Sequence, residues 1–119
     1  MTDAMKRLPA AFFRGEAGNE PVRDWLRSDA FSPEDRRRIG EDIKTVEFGW
    51  PIGMPVCRPM GSGLWEVRTG LKDRVARVLF CVHGARMVLL HGFVKKTRRA
   101  PDADIALALE RKRKLERAT

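Results

Sequence analysis

The sequence of 119 residues contains no tyrosine, two cysteines and two histidines. Cys57 and Cys81 stand far apart, which favours neither a disulfide scaffold nor a zinc knuckle with closely spaced cysteines. His83 and His91 occur without an HExxH pattern and without a cluster of carboxylates. We therefore expect a reduced protein that has no metal site and needs no cofactor.

The sequence also lacks long apolar runs and the motifs of two large enzyme classes, the serine hydrolases and the nucleotide-dependent enzymes. No stretch approaches the roughly 18 consecutive apolar residues that suggest a membrane span. Residues 1–15 lack the longer apolar segment and the cleavage site of a secretion signal. The sequence has no Gly-x-Ser-x-Gly, and the "GSGLW" at 61–65 opens a strand rather than a phosphate-binding loop. We expect a cytoplasmic protein without membrane contact, which is neither a serine hydrolase nor a nucleotide-dependent enzyme.

The chain carries a net charge of +8, and this charge is unevenly placed. Residues 1–60 hold ten basic and ten acidic side chains, whereas residues 61–119 hold fourteen basic and six acidic ones. Cationic charge concentrated in one part of a chain indicates binding to a nucleic acid, to an acidic protein, or to both. The length suits one domain, which we expect to span 1–119.

The spacing of apolar residues and the turn residues predict a β-α-α-β-β-β-α order. The predicted elements are an edge strand at 8–13, helices at 19–28 and 32–50, a loop at 49–63, strands at 64–68, 74–82 and 86–94, and a helix at 101–116. Short, glycine-containing connections make the last three strands an antiparallel meander. We expect an α+β fold, in which two helices pack on one face of a small twisted antiparallel sheet.

Alternation along the strand "LWEVR" places charged side chains together. Glu66 and Arg68 are two positions apart and project from one face, while Trp65 and Val67 project from the other. If Trp65 and Val67 pack under the helices, Glu66 and Arg68 lie on the open face. The alternative is an ordinary exposed ion pair on a strand.

Two further strands add candidates to that face. Arg77 interrupts an apolar strand, where a charge is costly unless it reaches a cleft or a partner. His91 shares its strand face with Phe93 and Lys95. Taken singly, Arg77 is as readily a structural arginine bound to Glu66 or to a carbonyl oxygen, and His91 is more often a core histidine than a catalyst.

The third strand of the meander ends in four cations within five residues. Lys95, Lys96, Arg98 and Arg99 repel one another, so their proximity favours an anionic partner. The alternative is a solvated run that connects the strand to the last helix. The residues predicted to bind RNA are Arg74, Phe93, Lys96, Arg98 and Arg99.

A base, several cations and an aromatic side chain on one face are the groups that RNA cleavage without a metal requires. A base takes the proton of the 2′-hydroxyl, cations stabilise the phosphate as its charge grows, and an aromatic ring stacks on a base. The predicted catalytic residues are Glu66, Arg68, Arg77, His91 and Lys95.

The segment from Leu64 to Arg99, with its "LWEVR", "RVLF" and "LLHGFVKKT" stretches, resembles the RelE/ParE toxin superfamily. It is most similar to the phage-derived, HigB-type branch of type II toxin–antitoxin systems. The resemblance implies a compact α+β fold, ribosome-dependent cleavage of mRNA, and a co-encoded helix-turn-helix antitoxin that covers the active face.

The resemblance also implies roles for individual residues. Arg68, Arg77 and the Lys95–Lys96 pair match basic positions that grip or polarise the scissile phosphate, and His91 and Phe93 match the strand end that faces the substrate. Several relatives use a tyrosine near the C-terminus for proton transfer, and this chain has none. Either Glu66 or His91 replaces it, or catalysis depends on charge and orientation alone.

Two other functions fit the same sequence. ParE-type relatives use this fold to inhibit DNA gyrase without cleaving RNA, and fold alone does not decide function. A basic module that binds nucleic acid without catalysis is the third possibility.

Overall fold

The computed structural model describes residues 5–95 and 102–118. The elements in chain order are β1 (Ala10–Phe12), α1 (Pro21–Leu26), α2 (Pro33–Gly49), β2 (Cys57–Gly61), β3 (Leu64–Gly70), β4 (Val75–His83), β5 (Arg86–Lys95) and α3 (Asp102–Arg117). Lys96, Arg98 and Arg99 lie outside the described residues, and for Lys95 the backbone alone is described.

The strands form one five-stranded sheet in the order β1-β5-β4-β3-β2. The α+β class and the β3–β4–β5 meander are confirmed. The sheet is mixed rather than wholly antiparallel, because β1 pairs with β5 in the parallel direction. A parallel pair requires a long crossover connection, which α1, α2 and β2 to β4 provide here.

β2 lies in the segment that the sequence predicted to be a loop. The glycines and prolines of this segment make the short strand difficult to predict. β2 lies at the edge of the sheet and pairs with β3. Pro59 is tolerated there because an edge strand has one side without ladder hydrogen bonds. Gly61, Ser62 and Gly63 all have positive φ and form the tight turn into β3.

The sheet is covered on both faces. α1 and α2 pack on one face, as predicted, where Val22, Ile39 and Val46 join the buried side chains of Val67 and Phe80. α3 packs on the opposite face through a second core that consists of Phe13, Leu64, Leu79, Cys81, Val88, Leu90 and Ala108. Within residues 5–95 and 102–118, no helix combines the length and the apolar character that crossing a membrane requires.

Candidate functional site

Glu66 projects from the α3 face of β3, opposite to Val67, which confirms the alternation read from the sequence. Its side chain is nevertheless fully buried, with 0% exposed, so the expectation that it lies on an open face is wrong. The unpredicted strand β2 places Arg58 directly beside Glu66 in the antiparallel register, and α3 covers the same face of the sheet. On the other side, Glu66 pairs with Leu79 of β4.

Three arginines surround this carboxylate, and we call Arg58, Arg68 and Arg77 together with Glu66 the arginine cluster. Arg77 Nη1 donates a hydrogen bond of 3.1 Å to Glu66 Oε2. Arg58 Nε and Arg68 Nε lie 3.7 and 3.8 Å from Glu66 Oε1. The side chain of Arg77 is 7% exposed, whereas those of Arg58 and Arg68 are 39% and 31% exposed. One buried ion pair therefore anchors two arginines that reach solvent.

The cluster is incompletely hydrogen-bonded. Among the residues that the structure describes, Glu66 Oε1 and Arg77 Nε are both buried without a hydrogen-bond partner. Buried polar atoms usually have a partner, so an unsatisfied one needs an explanation, and a role in binding or catalysis is one of them. Among the described residues, the three guanidinium groups share a single carboxylate.

Strand register extends the cluster across the sheet. Arg68 pairs with Arg77 across β3 and β4, and Arg77 pairs with Phe93 across β4 and β5. The backbone of Lys95 pairs with Val75, two positions from Arg77 on β4. The register thus brings together Arg68, Arg77 and Phe93, as the sequence predicted, and adds Arg58, which the sequence did not indicate.

His91 belongs to a second group, between β5 and α3. Its Nε2 lies 2.7 Å from Asp104 Oδ1, and its Nδ1 lies 3.5 Å from Arg111 Nη1. The His91 ring also stacks on Phe93, with 5.8 Å between centroids and an angle of 17°. With both ring nitrogens in contact with α3, His91 fastens the helix to the sheet.

Arg111 contributes to the same junction. It donates a hydrogen bond of 2.8 Å to the carbonyl oxygen of Leu90. Burial lowers the pKa of Arg111 below its ordinary value, and an arginine still stays charged at neutral pH. Asp104 and Arg111 were missed as site residues, although their spacing of seven places them on one face of α3.

If His91 holds α3 on the sheet in this way, His91→Ala and Asp104→Ala should each lower the free energy of unfolding by about 1.5–3 kcal/mol, the range for a hydrogen bond to a charged group. The double variant should lose less than the sum, because both substitutions remove the same contact. Denaturant unfolding measures this cycle. Asp102→Ala is the control, since Asp102 is an exposed carboxylate in the first turn of the same helix. Additive losses would contradict the contact.

Arg74, a predicted RNA-binding residue, lies outside the arginine cluster and contacts the start of α2. It hydrogen-bonds the carbonyl oxygen of Ala30 and lies 3.3 Å from Asp35 Oδ2, while its guanidinium stacks 5.2 Å from the Phe31 ring centroid. A backbone hydrogen bond from Ser32, with a smaller contribution from Arg74, lowers the pKa of Asp35. Arg74 thus ties the β3–β4 connection to the start of α2, and its guanidinium is occupied.

Neither cysteine is suited to act as a nucleophile. Burial raises the pKa of Cys57 and of Cys81 to about 11, so at neutral pH both are thiols rather than reactive thiolates. In the described part of the chain, no group of three or more His, Cys, Asp or Glu side chains is placed to hold a metal ion.

The comparison with known families identifies one match. The model of a family described as "Phage derived protein Gp49-like (DUF891)" matches residues 24–113, which is more than half of the chain and includes both the arginine cluster and the His91 junction. No curated protein matches the chain.

Proposed function

Because the chain belongs to the Gp49-like family of phage-derived proteins, a family of the RelE/HigB toxin type, we propose that it is a toxin that cleaves mRNA on the ribosome without a metal ion. Its proposed partner is a co-encoded helix-turn-helix antitoxin, and its proposed location is the cytoplasm. The assignment to the phage-derived, HigB-type branch in particular stays a prediction.

The observation that carries the proposal is the excess of positive charge in the arginine cluster. Three guanidinium groups meet one carboxylate on the sheet face, and two of the three reach solvent. Next to them in the register lies Phe93, whose ring offers a surface for stacking on a base. Arginine binds phosphate oxygens with two parallel hydrogen bonds, so this face suits the backbone of a single-stranded RNA.

The proposed reaction is an internal transfer at phosphorus. The 2′-oxygen attacks the phosphorus while the bond to the 5′-oxygen breaks, which leaves a 2′,3′-cyclic phosphate and a 5′-hydroxyl. The negative charge on the phosphate oxygens grows as the new bond forms. Fixed guanidinium groups stabilise that charge without reorganising, and each such donor contributes on the order of a 100-fold to 1,000-fold rate increase.

Proton transfer is assigned to one of the alternatives that the sequence left open. Glu66 is buried and holds three arginines, and His91 has both ring nitrogens directed at α3. Of the alternatives that the missing tyrosine left open, these contacts favour catalysis by charge and orientation. Water then takes the proton of the 2′-hydroxyl and supplies one to the 5′-oxygen.

Expression of the chain without its partner is expected to stop growth by blocking translation, because the proposed target is mRNA on the ribosome. Pulse labelling should show protein synthesis falling before DNA synthesis. Primer extension on induced mRNA should map new 5′ ends, and purified protein should cleave a short RNA slowly in the presence of EDTA.

The matched control is Arg37→Ala, which removes an exposed arginine of α2 whose ion pair in the described residues is an i,i+3 pair with Glu34. This variant should arrest growth as the wild type does. If DNA synthesis falls first and DNA breaks accumulate, the gyrase-inhibitor alternative is correct instead.

A further inference from the structure

Arg58 occupies a place in the arginine cluster that the sequence did not reveal. It lies in β2 and is paired with Glu66 across the β2–β3 ladder. Its Nε is 3.7 Å from Glu66 Oε1, which is too long for a hydrogen bond, and its side chain is 39% exposed. No hydrogen bond from the Arg58 guanidinium is formed within residues 5–95 and 102–118, so its N–H donors can serve another acceptor.

Two arginines elsewhere on the surface, Arg74 and Arg23, are neutralised more fully than those of the cluster. Arg74 has a carbonyl oxygen and two carboxylates within reach, and Arg23 donates to Glu20 at 3.1 Å. In the cluster, by contrast, three guanidinium groups share Glu66. Placing like charges together lowers stability unless an anion is bound, so the arrangement suits a ligand with two negative charges.

The charge of a phosphodiester changes during cleavage in the direction that this cluster would favour. The ground state carries one negative charge, and the five-coordinate transition state carries a second. Arg68, Arg77 and Glu66 together carry a net charge of +1, and Arg58 raises this net charge to +2. Arg58 thus adds stabilisation that the transition state needs more than the ground state does, which raises the rate more than the affinity.

We propose that Arg58 is a third arginine that contacts the phosphodiester, and that Glu66 is the positioning residue that holds Arg58, Arg68 and Arg77 toward it. This inference rests on the proposed function for the identity of its substrate. Glu66 orients Arg77 through Oε2 and attracts Arg58 and Arg68 through Oε1, so one carboxylate sets the directions of three donors.

The test compares Arg58→Ala and Arg58→Lys with the control Arg37→Ala. The substrate is a short RNA, and the binding probe is the same oligonucleotide with 2′-deoxyribose at the cleavage site. Arg58→Ala should lower the single-turnover cleavage rate by roughly 100-fold, and should reduce the slope of log affinity against log salt by about 0.7. Arg58→Lys should keep the salt slope and recover only part of the rate, because lysine keeps the charge and loses the fork.

A rate and a salt slope for Arg58→Ala that equal those of Arg37→Ala would overturn the role of Arg58. Thermal unfolding of each variant shows whether it is folded. Should Arg58→Ala unfold, the lysine variant decides, and full activity with lysine would contradict a bidentate contact.

The role of Glu66 is tested through Glu66→Gln, which keeps the size of the side chain and removes its charge. We expect its rate to fall while its KM changes little, and we expect the Nε–H signals of Arg58 and Arg68 to broaden in NMR spectra. Unchanged signals with an unchanged rate would overturn the positioning role.

Failure of the proposed function is distinguishable from failure of this inference. If the wild type cleaves no RNA, the proposed reaction is wrong, and the Arg58 Nε–H signal still reports whether the 2′-deoxy probe binds there. A shift of that signal on titration supports Arg58 as an anion-binding residue. If the wild type cleaves RNA and the Arg58 signal stays unmoved by the probe, the inference is wrong and the function stands.

Discussion

Arg77→Lys is expected to leave the protein folded and to slow RNA cleavage by about 100-fold or more, the cost of removing one preorganised donor from a developing negative charge. Arg77 already uses one amino group to hold Glu66, while its Nε is buried and has no partner within the described residues. A guanidinium can bind Glu66 and a phosphate oxygen at once because its donors point in fixed, separate directions. A lysine ammonium that binds Glu66 does not contact the phosphate oxygen at the same time.

Single-turnover kinetics and binding of the 2′-deoxy probe separate the two effects of this substitution. Affinity for the probe should fall by less than the rate does, since the positive charge is kept. Arg37→Lys serves as the control on an exposed arginine of α2. A folded Arg77→Lys protein that cleaves RNA at the wild-type rate would mean that Arg77 is a structural arginine alone.

Strand alternation was sufficient to predict which side chains share a face. Because side chains alternate along a strand, Glu66 and Arg68 were assigned to one face and Val67 to the other, and the structure confirms this. The short connections also predicted that β3, β4 and β5 are neighbours, which places Arg68 beside Arg77 and Arg77 beside Phe93. These contacts follow from local patterns and from the register of a meander.

The burial of Glu66 was not predictable in the same way. It depends on β2, whose sequence "CRPMG" combines glycine and proline and shows no alternation strong enough to indicate a strand. An edge strand tolerates such residues because half of its backbone groups need no ladder partner. Without β2 the sequence offers no neighbour for Glu66 on that side, so the pattern of β3 alone predicts an open face.

Contacts between distant segments were missed for a related reason. His91 meets Asp104 and Arg111 across the sheet–helix interface, and Arg74 meets Asp35 and Ala30 at the start of α2. A single sequence shows that each of these residues is charged or polar, but the docking angle of the helices decides which ones meet. The sequence therefore placed His91 correctly on one strand face with Phe93, but it did not show that Asp104 and Arg111 contact His91 or that Asp35 and Ala30 contact Arg74.

The cations that follow β5 stay a prediction. The backbone of Lys95 ends β5 in register with Val75, at the end of the β4–β5 ladder where Arg77 and Phe93 also pair. Lys96, Arg98 and Arg99 lie outside the described residues. The expectation that they bind RNA thus depends on the sequence and on their proximity along the chain to a cationic face.

The largest effect on stability is expected from Glu66→Ala, which should lower the free energy of unfolding by about 3–5 kcal/mol, as when one partner of a buried ion pair is removed. The substitution leaves three guanidinium groups close together, and Arg77, at 7% exposure, has no access to enough water to compensate. Since small proteins are stable by only about 5–15 kcal/mol in total, such a loss would leave a measurable unfolded fraction at 37 °C. Glu41→Ala, on an exposed position of α2, is the control and should change stability by about 0.5 kcal/mol or less.

The double variant Glu66→Met/Arg77→Met tests whether repulsion among the arginines is the cause. It removes the buried charges of both signs and fills the space with side chains of similar size, while Arg58 and Arg68 stay partly exposed and can be hydrated. Replacing a buried ion pair in this way is often neutral or stabilising, so we expect the double variant to be more stable than Glu66→Ala and inactive toward RNA. If the double variant is as unstable as Glu66→Ala, the loss of stability comes from lost packing around Glu66 and not from repulsion among the arginines. If the double variant is stable but inactive, apolar side chains can replace the ion pair without loss of stability. The charged cluster is then present for binding an anion and not for holding the sheet together.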